Sequence, residues 1–198
     1  MADPALLSRW PLPEVPEVAQ AVLAGWREPH RRYHDVRHLQ ECLEAAVRLG
    51  GGRDELVALW FHDAVHTNTP GVDEAASAAL LLSLLTGRLP EPQLAEATRL
   101  VLLTRHHRPE PGDVAGAVVC DADLWVLGAE PNRYAQSVSD LRTETGLDGP
   151  AWAKARRHQL TARLAGPIYR TPAGARREAR ARANLTAELE SLLRPGRS

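Results

Sequence analysis

The run Leu59-Trp60-Phe61-His62-Asp63-Ala64-Val65-His66 sets two imidazoles and a carboxylate into a segment that otherwise reads as core. It closes a helical pattern with Leu56, Val57, Leu59, Trp60 and Phe61 apolar, and the spacing predicts a helix over 54–66. On such a helix His62 and His66, four apart, share a face. Asp63 needs a partner, because burying an unpaired charge is costly.

Outward from this run the same period recurs and no sustained strand alternation interrupts it. Helices are expected over 15–26, over 33–49 up to Gly50-Gly51-Gly52, and from an Asp73 cap to Thr86. Further helices are expected over 92–107, 114–127, 132–145, 151–164 and 175–193. About nine short helices without a strand predict an all-α, single globular domain over 1–198. Segments 1–13 and 194–198 read as flexible ends.

The 25 acidic and 24 basic residues nearly cancel, so neither a membrane surface nor a stable nucleic-acid partner is expected. Cys42 and Cys120 form no CxxC pair, and free thiols fit a reducing cytosol. The N-terminus does not read as a signal peptide, and the longest apolar stretch, 75–85, is too short to span a bilayer. A cytoplasmic protein is expected. No self-complementary stripe is legible, so a homodimer is allowed but not specified.

The chemistry lies in four clusters: His30/His34/His38, His62-Asp63/His66, His106-His107 and Asp121-Ala122-Asp123. Taken singly, a buried histidine is more often a hydrogen-bonded core residue, and Asp121 can cap a helix that starts late. Together, imidazoles and carboxylates on apolar helical faces satisfy one another best around a cation. Asp121 and Asp123 are two apart and point in different directions, so only one reaches a shared ion easily. Arg37, Arg105 and Arg108 lie beside these motifs and can grip phosphate, as can Arg31-Arg32. No Gly-rich phosphate loop and no GxSxG elbow is present.

The order His38, His62-Asp63, Asp123 resembles the H…HD…D signature of the HD-domain superfamily. The flanking text is similar to its predicted metal-dependent phosphohydrolases: Tyr33-His34-Asp35-Val36-Arg37-His38-Leu39, Asp73-Glu74-Ala75-Ala76-Ser77-Ala78, Leu102-Leu103-Thr104-Arg105-His106-His107 and Cys120-Asp121-Ala122-Asp123-Leu124. The resemblance runs from about Trp10 to Leu192. It implies an HD-domain fold with His38, His62, Asp63 and Asp123 on the metal, and Asp121 orienting a ligand or water. Two His and two Asp with open positions suit Mn, Fe, Co or Ni, and Mg less well.

The implied reaction is attack by a metal-bound hydroxide on a nucleotide or other small phosphate ester. Asp63 and Asp121 are expected to serve it directly. His34 either protonates the leaving oxygen or only hydrogen-bonds a ligand. Arg37, Arg105, His107 and Glu74 are the expected substrate-side residues, although a Glu in a first helical turn is also favoured by the helix dipole. His66, with His106 or His107, is a candidate for a second ion; the alternative is a histidine at a helix end. Two rival functions follow: a di-iron oxygenase on the same frame, and a non-enzymatic, metal-stabilised binding module.

Overall fold

Regularly spaced apolar residues fold this chain into helices joined by short turns. The computed structural model describes residues 4–69 and 71–194, and among them every regular element is helical. The order is α1 (Pro4–Leu7), α2 (Pro16–Trp26), α3 (Val36–Arg48), α4 (Arg53–Phe61), α5 (Val72–Leu85), α6 (Glu91–Leu103) and α7 (Val114–Asp123). A 3₁₀ turn, Leu124–Gly128, follows, then α8 (Pro131–Thr145), α9 (Gly149–Leu164), α10 (Pro172–Ala175) and α11 (Glu178–Leu193). Nine of these α-helices have nine or more residues. No helix is long and apolar enough to cross a membrane.

Two apolar cores organise the chain. The larger gathers α2 to α7 around Trp26, Leu39, Leu43, Trp60, Phe61, Leu81 and Leu100, all fully buried. The smaller gathers α8, α9 and α11 around Tyr134, Leu160, Tyr169 and Leu185. Each such leucine contributes about 1.5–3 kcal/mol by leaving water. Trp125, in the 3₁₀ turn, packs against both cores. Asp123 therefore stands at the seam between them.

The helix ends differ from the expected ones at the positions that matter. The helix expected over 54–66 stops at Phe61, because Trp26 Nε1 donates to the Trp60 carbonyl at 2.9 Å and the Ala64 N–H folds back onto the Phe61 carbonyl at 2.9 Å. Gly25 lets α2 approach this turn: a Cβ there would stand 2.4 Å from the Ala64 carbonyl oxygen. His62 and His66 thus do not share a helical face.

The helix expected from residue 33 starts at Val36, because Asp35 accepts the N–H groups of Arg37 and His38 at 2.8 and 3.2 Å. His34 precedes this cap. The helix expected to reach residue 107 ends at Leu103, and the one expected over 114–127 tightens to 3₁₀ after Asp123. Asp73 does not cap α5; it lies inside the first turn and accepts the N–H groups of Thr67 and Thr69. The expected flexible start is corrected in part, since Leu6, Trp10 and Leu12 are buried. Residues 1–3 of that segment, and 195–198 of the tail, lie outside the described residues.

Candidate metal centre

The short α4 and the cap of α3 aim two imidazoles at one point. His62 closes α4, and its Nδ1–H donates to the Leu59 carbonyl at 2.8 Å. That bond fixes the tautomer and leaves the Nε2 lone pair facing inward. It meets His38 Nε2 at 3.3 Å. Asp63 Oδ2 lies 3.1 Å from His62 Nε2 and 3.7 Å from His38 Nε2. Asp123 Oδ1 lies 3.1 Å from His38 Nε2 and 3.5 Å from His62 Nε2. The imidazoles are buried, and the carboxylates open onto a cleft of about 280 Å³.

Donors held at roughly 2.0–2.2 Å from one divalent ion stand about 3–4 Å apart. The five separations fall in that range, so His38, His62 and Asp123 fit a metal ion, with Asp63 close to both imidazoles. The donor atoms of His38, His62 and Asp123 also lie within 4.8 Å of the Cys42 thiol. Burial, with Asp123 and Asp63 nearby, pushes that thiol well above its usual range, so it holds its proton unless an ion displaces it.

These charges are strongly coupled. Burial opposes protonation of His62, but Asp63 and Asp123 outweigh it and push the imidazole well above its ordinary value. Burial likewise opposes ionisation of Asp63 and Asp123. His62 and His34 nevertheless hold Asp63 below the carboxylate range, and His62, His107 and His38 do the same for Asp123. When the chain is free of metal, a proton on His62 does part of the work of a cation.

Further residues fix this arrangement. His107 Nε2–H donates to Asp123 Oδ2 at 2.7 Å, orienting the carboxylate and not adding a ligand. His34 approaches Asp63 Oδ2 with Nε2 at 3.9 Å, while its Nδ1–H donates to Glu144 at 2.5 Å. Glu144 also accepts the N–H groups of Arg32, Tyr33 and His34 and a ring N–H of His66. Burial works against His34 protonation, but Asp63 and Glu144 raise its affinity for a proton. Arg31 is buried, and its guanidinium donates to the carbonyls of His34, Asp63 and Ala64. It ties the two ligand-bearing turns together and does not face a phosphate.

The expected set is thus partly gathered. His38, His62, Asp63 and Asp123 converge, with His34, His107 and Glu74 around the same cleft. Asp121 is a correction: its oxygens accept the N–H groups of Arg170 and Thr171 and the Thr171 hydroxyl, so it pins the loop before α10. The pairing of His66 with His106 or His107 around a second ion is also corrected. His66 joins His34 and Glu144, His107 serves Asp123, and exposed His106 accepts the Arg108 N–H through Nδ1. Arg37 is exposed, pairs with Glu41 at 3.3 Å and does not line the cleft. Glu74 lines the cleft while accepting the Gly71 N–H, and Arg105 lies against Gly71, where φ is +82° and a Cβ would crowd the guanidinium. Glu144 and Cys42 carry no local sequence signal; only the packing of α8 and α3 reveals them.

Comparison with models of known families, with curated proteins and with solved structures finds no match. Fold and site by themselves define an all-helical protein with a buried His/Cys/Asp cluster that could hold a metal ion.

Two outcomes follow for the metal-stripped protein. Adding Mn should raise the melting temperature of the wild type, by an amount equivalent to about 4 kcal/mol when the free ion exceeds its Kd about a thousandfold. Asp123→Asn should abolish that rise. Asp121→Asn should lower the starting temperature, by roughly 1–3 kcal/mol of stability, and keep the rise. The reverse pattern would exchange the two aspartates. Because the His62 pKa is raised, its proton is bound below that raised value, and an entering ion must displace it. Mn affinity measured by calorimetry should therefore keep climbing with pH beyond the range of an ordinary histidine, whose pKa is about 6.5. A flat profile would contradict this charge coupling.

Proposed function

We propose that this protein is a metal-dependent phosphohydrolase acting on a nucleotide or another small phosphate ester. The observation that carries the reading is the meeting of His38 Nε2, His62 Nε2, Asp63 and Asp123 beside an open cleft with a protonatable imidazole, His34, on its wall. The resemblance of the motifs to HD-type phosphohydrolases supports the same reading. His38, His62, Asp63 and Asp123 would hold the ion, with Mn, Fe, Co or Ni favoured over Mg by the two imidazoles. Such an ion, when bound, makes a coordinated water more acidic and neutralises phosphoryl charge.

The chain supplies the rest. A water oxygen forms the new bond to phosphorus as the bond to the leaving oxygen breaks. Asp63, partly open to the cleft, accepts a hydrogen bond from that water, which loses one proton to solvent and keeps the other on the phosphate. His34, oriented through Nδ1 by Glu144, presents Nε2 to the cleft and gives its proton to the leaving oxygen. His107 keeps Asp123 in place.

The group His34, His66 and Glu144 favours a second reading, a two-metal oxygenase, because its donor atoms also lie within 4.8 Å of one another. Those atoms are already joined by hydrogen bonds, and Glu144 holds three backbone N–H groups as well. We therefore favour the hydrolase.

Mn-loaded protein should release phosphate from aryl and alkyl phosphate esters, and His62→Ala should abolish release. His34→Ala should lower kcat roughly 10²–10⁴-fold on alkyl esters and less on p-nitrophenyl phosphate, whose leaving group needs no proton. In the wild type, kcat on alkyl esters should fall as pH rises through the elevated His34 pKa. Two bound irons with oxygen-dependent turnover and no phosphate release would replace the hydrolase with the oxygenase.

A further inference from the structure

The cleft at the metal centre continues into a second hollow of about 690 Å³. The two share His34, Glu74, Thr104 and His107 as walls. Their charge is opposite in character. The metal end holds Asp63 and Asp123, with Glu74 and Arg156 on the wall it shares with the second hollow. The second hollow holds Arg105, Arg108, Arg156, Arg163 and Arg170, and its one carboxylate is Glu74.

Several arginines of this fold are neutralised by carboxylates. Arg99 meets Glu96 and Asp113, Arg133 meets Glu41, and Arg156 in the groove itself meets Glu188 at 2.8 Å. Among the described residues the guanidinium groups of Arg105, Arg108, Arg163 and Arg170 have no carboxylate oxygen within 4.0 Å, although the Arg170 backbone N–H donates to Asp121. They come from three separate places: the turn after α6, the last turn of α9, and the loop before α10. Arg163 is only partly exposed, and its guanidinium touches a polar group just once, at His107 Nδ1, 3.5 Å away. Burial opposes its charge, Asp123 at the metal end favours it, and Arg108 and Arg170 add to the opposition. Like charges gathered at a partly buried wall favour an anion placed among them.

One phosphoryl group bound at the cation has its charge met there. Four further guanidinium groups exceed what that group needs, and guanidinium pairs bind phosphate oxygens through two parallel N–H donors. Leu124, Leu127 and Leu160 give the groove an apolar side for an organic moiety. A hollow of this size suits a small molecule.

We propose that the preferred substrate carries a di- or triphosphate chain, with one phosphoryl at the metal centre and the remaining phosphates along Arg108, Arg163 and Arg170. This rests on the phosphohydrolase reading for which end of the chain reacts, and on the groove alone for binding.

The test titrates the full-length protein, in saturating magnesium, with hydrolysis-resistant imidotriphosphate as its magnesium complex and, separately, with orthophosphate. Imidotriphosphate should bind at least about tenfold more tightly, since each added charge-assisted contact is worth roughly a tenfold step. Arg108 and Arg170 are exposed, so R108Q/R170Q is expected to fold, which circular dichroism checks. Its imidotriphosphate affinity should fall about tenfold or more, and by a larger factor than its orthophosphate affinity. Equal affinities in the wild type, an equal loss for both probes, or tighter binding of a single-stranded oligonucleotide would overturn the proposal. A triphosphate preference in a protein that hydrolyses no phosphate ester would uphold the groove and remove the hydrolase. Ester hydrolysis without that preference would do the opposite.

Discussion

Two imidazole nitrogens, His38 Nε2 and His62 Nε2, face each other across 3.3 Å with a carboxylate oxygen 3.1 Å from each. Lone pairs and anions at such distances, out of bulk water, repel unless positive charge stands among them. The fold is arranged to hold this cluster in place. The Nδ1–H of His62 is spent on the Leu59 carbonyl, so its ring cannot turn away, and Asp123 is held through its other oxygen by His107. A proton can relieve the repulsion in part. A divalent ion seated among these donors would relieve it more fully, and the cluster could hold one.

The surrounding structure follows from that constraint. His62 and Asp63 can meet His38 only because α4 ends early, and it ends early because Trp26 takes the Trp60 carbonyl and Gly25 admits the Ala64 carbonyl. Arg31 then ties the turn after α4 to the loop before α3 through three carbonyls. Glu144, arriving from α8, gathers three backbone N–H groups of that loop and orients His34. Asp123 comes from the point where α7 tightens into the 3₁₀ turn and the two apolar cores meet. The site thus draws on both halves of the chain, and neither core alone completes it.

Helix content and the converging ligands were legible because both rest on local chemistry. Apolar spacing reports a helical face wherever it occurs, and His62-Asp63 stands out as charge within an apolar run. Helix ends were less legible. Nothing near residue 62 tells that α4 stops there, since the stop is imposed by Trp26 and Gly25, more than thirty residues earlier. The same limit hid Asp121, whose role depends on the backbone of Arg170 and Thr171, and Glu144, whose partners lie 78 to 112 residues away. His66 and His106 looked alike as spare histidines, and only packing separates a buried ring bound to Glu144 from an exposed one.

The central claim is that one ion is held by His38, His62, Asp63 and Asp123 together. A crystal soaked in Mn and examined by anomalous scattering tests it most directly. The account predicts one strong peak at roughly 2.0–2.3 Å from the Nε2 atoms of both histidines and from an oxygen of each aspartate. A peak seated instead among His34, His66 and Glu144, or no peak within reach of His62, would contradict it.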